Sequence, residues 1–173
     1  MHVTMRARRD LWSLRGRLFP SVKACVARAT HAGFRVVQFS VQRDHVHLIV
    51  EGADRQRVMR GVTGLAVRVA KAVNRAMRRR GSVWDDRYHA RSLKTPREVR
   101  NALAYVLLNW RKHIRDARAG VDRCSSAPWF TGWRDLRLTA VPVEESPVAA
   151  PHTWLASVGW RRHGLLRVDE APS

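Results

Sequence analysis

The sequence predicts an α+β fold in which helices pack on an antiparallel sheet. Segments with the two-residue periodicity of strands and segments of helical periodicity follow one another in the order strand, helix, strand, strand, helix. The two consecutive strands are separated by only a few polar residues, which is typical of an antiparallel hairpin. The chain has 173 residues, the usual size of one domain, and 45% of them are hydrophobic, which is enough to form a core.

The first strand and the first helix are predicted from short local patterns. Residues 2–6 alternate in the manner of a strand, with Val3 and Met5 on one face. Apolar side chains then recur at helical spacing from residue 20 to residue 32. Pro20 suits a first helical turn, and Gly33 suits the position just after a helix end. A strand, a helix and a turn are therefore expected in this order.

A hairpin and a long basic helix come next. Residues 34–40 are β-branched and aromatic, and after a polar interruption a second strand-like run covers residues 45–51. Residues 55–79 place valines, a leucine and a methionine on one helical stripe, whereas arginines and a lysine occupy the remaining surface. This pattern predicts an amphipathic helix that ends before Gly81.

The last predicted helix has the clearest start signal. Thr95 suits the N-cap, Pro96 suits the first helical position, and Glu98 completes a capping box. We expect this helix to reach about residue 115, with irregular structure between the two helices and again after this one. Residues 154–166 match no element pattern. We expect residues 1–118 to form one domain and residues 119–173 to form a C-terminal segment packed on it.

The charge of the chain is far larger than solubility requires. Lys and Arg number 33 against 14 Asp and Glu, which gives a formal net charge of +19. A polyanionic partner is the simplest reason to tolerate this self-repulsion, and nucleic acid is the first candidate, ahead of an anionic membrane surface. The sequence contains no run of about 18 apolar residues and no signal segment. We therefore expect a cytoplasmic protein that associates with the nucleoid and not with a membrane.

His45 and His47 are the first candidates for a metal site. They are two residues apart in the second strand of the hairpin, so both imidazoles project from the same face. The aliphatic residues that alternate with them take the opposite face and are expected to fill the core, while Ile49 extends the histidine face toward a covering helix. A His-x-His pair is short, however, and two histidines that merely pack or hydrogen-bond at a sheet surface remain the alternative.

Tyr105 and Asn109 strengthen the metal-site interpretation. Because they are four residues apart, they lie one above the other on one face of the last helix. Two neutral imidazoles and an amide oxygen can hold a divalent cation that neutralises a phosphate and keeps coordination positions open. Tyr105 would then be the nucleophile, helped to lose its proton by nearby positive charge. The alternative is a partly buried tyrosine and a solvent-facing asparagine with no chemical role.

Tyr88 is the rival nucleophile, since it is the only other tyrosine and lies in a basic segment. We favour Tyr105 because its helix offers Asn109 at the right spacing. Tyr88 and Trp84 can instead pack on the fold or stack on unpaired bases, and we favour packing.

Basic residues on and around the two later helices are candidates for contacts with a DNA backbone. Such contacts make binding weaken steeply as salt rises, whereas the alternative is a charged face that contacts only solvent. The candidates are Arg68, Lys71, Arg75, Arg78, Arg79, Arg87, Arg91, Arg111 and Lys112.

Several motifs occur together in a specific order and spacing. In chain order they are His45-Val46-His47-Leu48, Trp84-x-x-Arg87-Tyr88-His89, Thr95-Pro96-Arg97-Glu98 and Tyr105-Val106-Leu107-Leu108-Asn109. This combination resembles the REP-associated tyrosine transposases, a branch of the single-tyrosine HUH transposases, over roughly residues 3–115. One departure is Trp110, which stands where that family commonly has proline after the asparagine.

The resemblance implies a fold, a cofactor and a reaction. The fold is the HUH endonuclease fold, which has a ferredoxin-like antiparallel sheet. The cofactor is a Mg²⁺ or Mn²⁺ ion bound by His45, His47 and Asn109, with Tyr105 as the nucleophile. The implied reaction is cleavage and transfer of single-stranded DNA, at hairpin-forming repeats, through a 5′-phosphotyrosine that leaves a free 3′-hydroxyl. Both a monomer and a homodimer are compatible with the sequence.

Two other functions remain open at this point. A non-catalytic, domesticated DNA- or RNA-binding protein could keep the same fold and basic surface. A metallonuclease that uses water would cut DNA without forming a covalent protein–DNA adduct. The complete set of two histidines, a tyrosine and an asparagine favours the transposase-type reaction. A general RNA-recognition sheet is disfavoured because no strand carries the aromatic residues of its stacking motif.

Overall fold

A four-stranded antiparallel sheet lies at the centre of the computed structural model, which describes residues 1–112, 120–135 and 144–171. The strands are β1 (His2–Arg6), β2 (Phe34–Val41), β3 (His45–Gly52) and β4 (His89–Arg91). They are arranged in the order β2-β3-β1-β4, and every neighbouring pair is antiparallel. One helix connects β1 to β2 and another connects β3 to β4, so two split β-α-β units interlock. This topology confirms the predicted α+β, ferredoxin-like fold.

Two helices cover one face of the sheet, α1 (Phe19–Ala27) and α2 (Arg55–Ala76). Val46, Leu48 and Val50 of β3 point into the core between this face and the helices, and all three are fully buried. The predicted alternation along the strand is therefore confirmed. None of the helices in the described ranges is long and apolar enough to cross a membrane.

Both helices end earlier than their apolar patterns predicted. The first ends at Ala27 and not at residue 32, because His31 and Phe34 already exchange two backbone hydrogen bonds across the turn into β2, in which Gly33 has a positive φ of 84°. The second ends at Ala76 and not at residue 79, since Arg78 adopts a positive φ of 51°, which is incompatible with a continuing right-handed helix.

Helix α3 (Pro96–Leu108) lies on the other face of the sheet. Its predicted capping box is present, because the Glu98 N–H donates to Thr95 Oγ1 at 3.2 Å and the Glu98 carboxylate accepts from the Thr95 N–H at 3.2 Å. Ile49 of β3 packs against this helix as expected. The helix gives way to a 3-10 turn at residues 109–112, and the rest of its predicted length lies outside the described residues.

Strand β4 lies in the stretch that was expected to be irregular. Its three residues are exposed and show no alternation, so the sequence contains no local strand signal. The strand exists because it pairs with β1, with Arg91 opposite His2 and His89 opposite Thr4. The prediction failed here because strand pairing is a long-range interaction.

Part of the C-terminal segment, residues 119–173, packs against α3, whereas Cys124, Ser126 and Ala149 make backbone hydrogen bonds with β2. Phe130, Trp133, Trp160 and Leu166 are buried in a second core together with the apolar face of that helix. The stretch that matched no element pattern contains helix α4 (Trp154–Ser157) and a 3-10 helix over Gly159–His163. The boundary at residue 118 remains a prediction, since both sides of it contribute to this core.

Candidate active site

His45 and His47 lie side by side on the face of β3 that is turned toward α3. Their ring centroids are 4.7 Å apart, and the ring planes are inclined by 81°. The register of the sheet places Thr4 opposite His47 and Arg6 opposite His45 on the neighbouring strand β1. His47 is 3% exposed, whereas the side chain of His45 keeps 21% of its surface exposed. At this site His47 is therefore buried, whereas His45 is accessible from solvent.

One ring nitrogen of each histidine is engaged by a neighbouring oxygen. His47 Nδ1 lies 3.1 Å from Thr4 Oγ1, and His45 Nδ1 lies 2.8 Å from a carboxylate oxygen of Asp44. Such contacts fix the orientation and tautomer of an imidazole, and they are typical of histidines that bind a metal through the other nitrogen. The Nε2 atoms are thus the positions through which His45 and His47 can coordinate.

Helix α3 brings Tyr105 and Asn109 to the same place. The Tyr105 ring centroid is 5.0 Å from that of His47, in an edge-to-face arrangement of 81°. Asn109 is the C-cap of the helix, its backbone N–H donates to the Tyr105 carbonyl, and its Nδ2 lies 3.4 Å from His47 Nε2. Asn109 is only 3% exposed, so the interpretation in which it faces solvent is excluded.

The imidazoles of His45 and His47 and the amide of Asn109 are groups that can bind a divalent cation. Among residues 1–112, 120–135 and 144–171, no group of three or more His, Cys, Asp or Glu side chains could hold a metal ion, and the amide of Asn109 is the candidate third donor beside His45 and His47. Since the two ends of an amide are nearly equivalent in shape, Oδ1 can take the place of Nδ2 beside His47. The carbonyl oxygen is a ligand type that suits Mg²⁺ and Mn²⁺, whereas the two imidazoles are ligands typical of divalent transition metals.

The charges around the histidines differ on their two sides. Burial opposes ionisation of Asp44, but the hydrogen bond with His45 and the nearby Arg6 outweigh it, and the pKa of the carboxyl is lowered. On the other side, burial lowers the pKa of His2, and the N-terminal ammonium and Arg91 lower it further. At neutral pH the site therefore has a carboxylate behind His45 and an uncharged imidazole beside His47.

Sequence reasoning missed His2 and Thr4 and gave no role to Asp44. His2 Nε2 lies 3.4 Å from His47 Nδ1, and its ring centroid is 5.7 Å from that of Tyr105. A signal was present, because His2 and Thr4 alternate with the buried Val3 and Met5 and must face the other way. Only the pairing of β1 with β3 shows, however, that this face is the histidine face.

The candidate DNA-binding residues divide between the two faces of the sheet. Those of α2 and the turn after it, and Arg87, lie on the α2 side, away from the histidines; Arg91 and Arg111 lie with α3. Arg79 is partly buried beside Asp10, and Arg111 donates to the Val168 carbonyl. The side chain of Lys112 lies outside the described part of the structure. The α2-side residues that are exposed are Arg68, Lys71, Arg75, Arg78 and Arg87.

Tyr88 and Trp84 pack on the α2 side of the sheet. Both contact the first core, and Trp84 Nε1 donates to the Ala66 carbonyl of α2 at 2.9 Å. The sheet therefore separates Tyr88 from the two histidines, whereas Tyr105 contacts one of them. Of the two tyrosines, only Tyr105 lies at the candidate site.

The fold and the arrangement of these side chains define the class of protein. A ferredoxin-like antiparallel sheet with helices packed on both faces, and a histidine pair on a central strand, is the fold of the HUH transposases. A family model described as "Transposase IS200 like" matches residues 2–108, which is more than half of the chain. The chain belongs to this family, and the membership gives it a transposase-type function in DNA processing. No curated protein and no solved structure matches the chain.

The matched range bears on the candidate residues in one further respect. It contains His45, His47 and Tyr105, and it ends one residue before Asn109. The third metal-ligand candidate and the whole C-terminal segment therefore lie beyond the part of the chain that the family model describes.

Proposed function

We propose that the protein cleaves and rejoins single-stranded DNA through a covalent bond between Tyr105 and a 5′-phosphate. The observation that carries this proposal is the contact of Tyr105 with His47, whose Nε2 in turn lies beside the Asn109 amide. A nucleophile, two imidazoles and an amide thus lie close together around His47. Cleavage of a phosphodiester needs such a convergence of nucleophile and charge stabilisation.

The proposed step conserves atoms and charge. The phenol oxygen of Tyr105 attacks the phosphorus, the bond between phosphorus and the 3′-oxygen breaks, and the phosphate becomes joined to the tyrosine. The phenol proton is lost during attack, and the leaving 3′-oxygen takes up a proton. The products are a 5′-phosphotyrosine and a free 3′-hydroxyl, and attack by another 3′-hydroxyl reverses the step and transfers the strand.

The residues around Tyr105 orient the reacting groups. We propose that His45, His47 and Asn109 hold a Mg²⁺ or Mn²⁺ ion, which supplies neutralisation of the non-bridging phosphate oxygens. Thr4 and Asp44 contact the Nδ1 atoms of the two imidazoles, so the Nε2 atoms are the proposed positions for metal coordination. The buried Asn109 is positioned by the end of α3, only one turn after the nucleophile.

Hairpin-forming repeats are the proposed substrate. The motifs between Trp84 and Asn109 are similar to those of the REP-associated branch of the family, whose members act near such repeats. The net charge of +19 supports a DNA partner of any kind. We propose that the protein works in the cytoplasm at the nucleoid, as a monomer or a homodimer.

Trapping of the covalent product tests this function. Wild-type protein with Mn²⁺ and a labelled oligonucleotide containing a hairpin and single-stranded flanks should give an adduct that survives denaturation. Tyr105→Phe should give none, while Tyr88→Phe, the matched control on the other face of the sheet, should form it as the wild type does. An adduct with Tyr105→Phe but not with Tyr88→Phe would overturn the assignment of the nucleophile.

A non-catalytic DNA- or RNA-binding protein is the second candidate. It is favoured by the position of the basic surface of α2, which lies on the opposite face of the sheet from Tyr105 and can bind nucleic acid without it. If wild type binds the oligonucleotide tightly but neither cuts it nor forms an adduct with any divalent metal, this second function is correct. Cleavage without an adduct would instead indicate a nuclease that uses water.

A further inference from the structure

A cavity of about 360 Å³ opens next to Tyr105, between α3 and the strands β1 and β4. Its walls include His2 of β1, Arg91 of β4, and Asn101 and Tyr105 of α3, and Leu93 and Ala102 contribute apolar surface. A cavity of this size lies within the range of small-ligand sites, which begins at about 300 Å³. It adjoins the candidate active site, because its wall residues His2 and Tyr105 both contact His47.

The polar groups of the cavity have fixed positions. Asn101 and Tyr105 are four residues apart on α3, so their side chains project from the same face, and the small Ala102 leaves the space beside them open. Arg91 Nη2 lies 3.0 Å from Glu98 Oε1, and Glu98 is itself held by the backbone N–H groups of the helix cap. The guanidinium is thus oriented before any ligand enters, although its side chain remains 72% exposed.

The chemistry of the walls fits a nucleobase better than a free anion. The Glu98 carboxylate also lines the cavity and offsets the charge of Arg91, so an isolated phosphate would gain little there. The flat face of a base can pack on Leu93 and Ala102. The edge of the base carries hydrogen-bond donors and acceptors. The amide of Asn101 can both donate to and accept from such an edge, as asparagine does when it recognises a base.

We propose that this cavity holds the base of the nucleotide on the 3′ side of the cleaved bond, and that Asn101 determines which base is accepted. This inference rests on the proposed function of Tyr105. In the displacement at phosphorus the attacking phenol and the leaving 3′-oxygen lie in line on opposite sides. The nucleotide that leaves is therefore directed away from Tyr105, whereas the nucleotide that keeps the phosphate lies beside the tyrosine, where the cavity opens.

Sequencing of the covalent products tests the inference. The probe is a pool of single-stranded oligonucleotides with a hairpin and randomised flanks, incubated with protein and Mn²⁺, from which the DNA joined to protein is recovered and sequenced. Wild type should prefer one base at the first position 3′ of the cleaved bond. Asn101→Ala should reduce that preference by about tenfold, the discrimination of a good amide–base contact, and leave the other positions unchanged. Arg97→Ala is the control, since Arg97 is an exposed residue of α3 outside the cavity.

An abasic nucleotide provides the second measurement. Removal of the base at this position should slow adduct formation by wild type about tenfold and should slow Asn101→Ala less, because the variant has already lost the amide contact but keeps the apolar contacts of Leu93 and Ala102. Because Asn101 is exposed and alanine is the better helix former, the variant should fold, which its thermal unfolding will verify.

The outcomes separate the two proposals. An adduct with undiminished base preference in Asn101→Ala, or a wild type indifferent to the abasic nucleotide, overturns the cavity inference alone. If wild type forms no adduct with any member of the pool, the proposed function falls, and the inference falls with it.

Discussion

A hydroxyl from the neighbouring strand helps to orient His47. Thr4 Oγ1 lies 3.1 Å from His47 Nδ1, and the register of β1 with β3 places the two residues directly opposite each other. An imidazole that donates its Nδ1 proton presents the lone pair of Nε2, which is the form a metal ion requires. Thr4 thus acts on the proposed metal site without belonging to its ligands.

Replacement of Thr4 by valine should weaken metal binding. The substitution keeps the shape of the side chain and removes the oxygen, so His47 loses one of the partners that orient it while the strand remains intact. We expect the Mn²⁺ dissociation constant to rise roughly 10- to 100-fold, the usual effect of losing such a partner, as measured by calorimetric titration. Thr63→Val, at an exposed position of α2, is the control. Equal affinities of Thr4→Val and wild type would exclude this role of Thr4.

The site residues that the sequence predicted are those whose relation is local. His45 and His47 share a strand, and Tyr105 and Asn109 share a helix, so spacing alone places each pair on one face. His2 and Thr4 could not be assigned in this way, because their relation to His47 is created by the pairing of β1 with β3. The cavity that Asn101 lines likewise depends on β4, a strand without a local signal.

At the scale of elements, the packing of α2 on β2 requires a glycine. A Cβ at Gly61 would lie 2.2 Å from the ring of Phe34, which is far closer than a carbon atom can approach. Phe34 is itself 1% exposed and enclosed by the core, so it has no free space to move into. The helix can therefore lie this close to the sheet only because residue 61 has no side chain.

Two alanine substitutions on α2 should have opposite effects. Gly61→Ala should lower the free energy of unfolding by about 1–3 kcal/mol through overpacking against Phe34. Gly64→Ala, whose Cβ would meet only a flexible Arg68 side chain at 3.5 Å, should raise it by about 0.5–1 kcal/mol because alanine favours the helix. Urea unfolding of the two variants measures both effects. A stabilised Gly61→Ala would mean that the contact of α2 with β2 is looser than described.

The helix boundaries show how far local patterns determine the elements. The start of α3 was predicted correctly because Thr95, Pro96 and Glu98 form a complete cap within four residues. The ends of α1 and α2 were misplaced, since apolar spacing continues past residues 27 and 76 while the backbone already turns between His31 and Phe34 and at Arg78. Start signals are side-chain contacts within one turn, whereas these ends are set by the backbone turns that follow them.

At the scale of the whole molecule, an ion pair joins the C-terminal segment to α3. Arg100 Nη1 lies 2.6 Å from Glu170 Oε1, and Arg100 Nη2 lies 2.9 Å from Glu170 Oε2, with both side chains less than a quarter exposed. This bidentate contact adds to the apolar contacts of Trp160 and Leu166. The hydrogen bond from Arg100 is the main cause that lowers the pKa of Glu170, and burial only partly opposes it.

Acid should loosen this attachment. Because the pKa of Glu170 is lowered on folding, its stabilising contribution is complete above the ordinary pKa of a glutamic acid and is lost as the pH falls through the lowered value. Glu170→Gln should therefore lower the free energy of unfolding at pH 7 by about 1–2 kcal/mol. It should also make the loss of stability with falling pH less steep than in wild type. Thermal unfolding from pH 7 to pH 3 measures this, with Glu145→Gln, an exposed carboxyl, as the control. Parallel pH profiles of Glu170→Gln and wild type would contradict the prediction.

The distribution of charge over the two faces of the sheet separates DNA affinity from cleavage. The exposed basic residues of α2 lie on the opposite face from Tyr105, so they can contribute to binding without touching the reacting phosphate. For single strands, each phosphate contact adds about 0.7 to the magnitude of the slope of log affinity against log salt concentration. Replacing Arg68, Lys71 and Arg75 together by alanine should therefore reduce the slope by about 2 if all three contact phosphates.

The rate of adduct formation at saturating DNA distinguishes this arrangement from a charged face that contacts only solvent. The α2 triple variant should bind more weakly at every salt concentration but, once saturated, should react at the wild-type rate, because nothing near Tyr105 has changed. A variant with Arg134, Arg161 and Arg162 replaced by alanine loses the same charge from the C-terminal segment and serves as the control. Equal salt slopes in the two triple variants would mean that α2 contributes only to the net charge, and that DNA reaches Tyr105 without crossing to the other face.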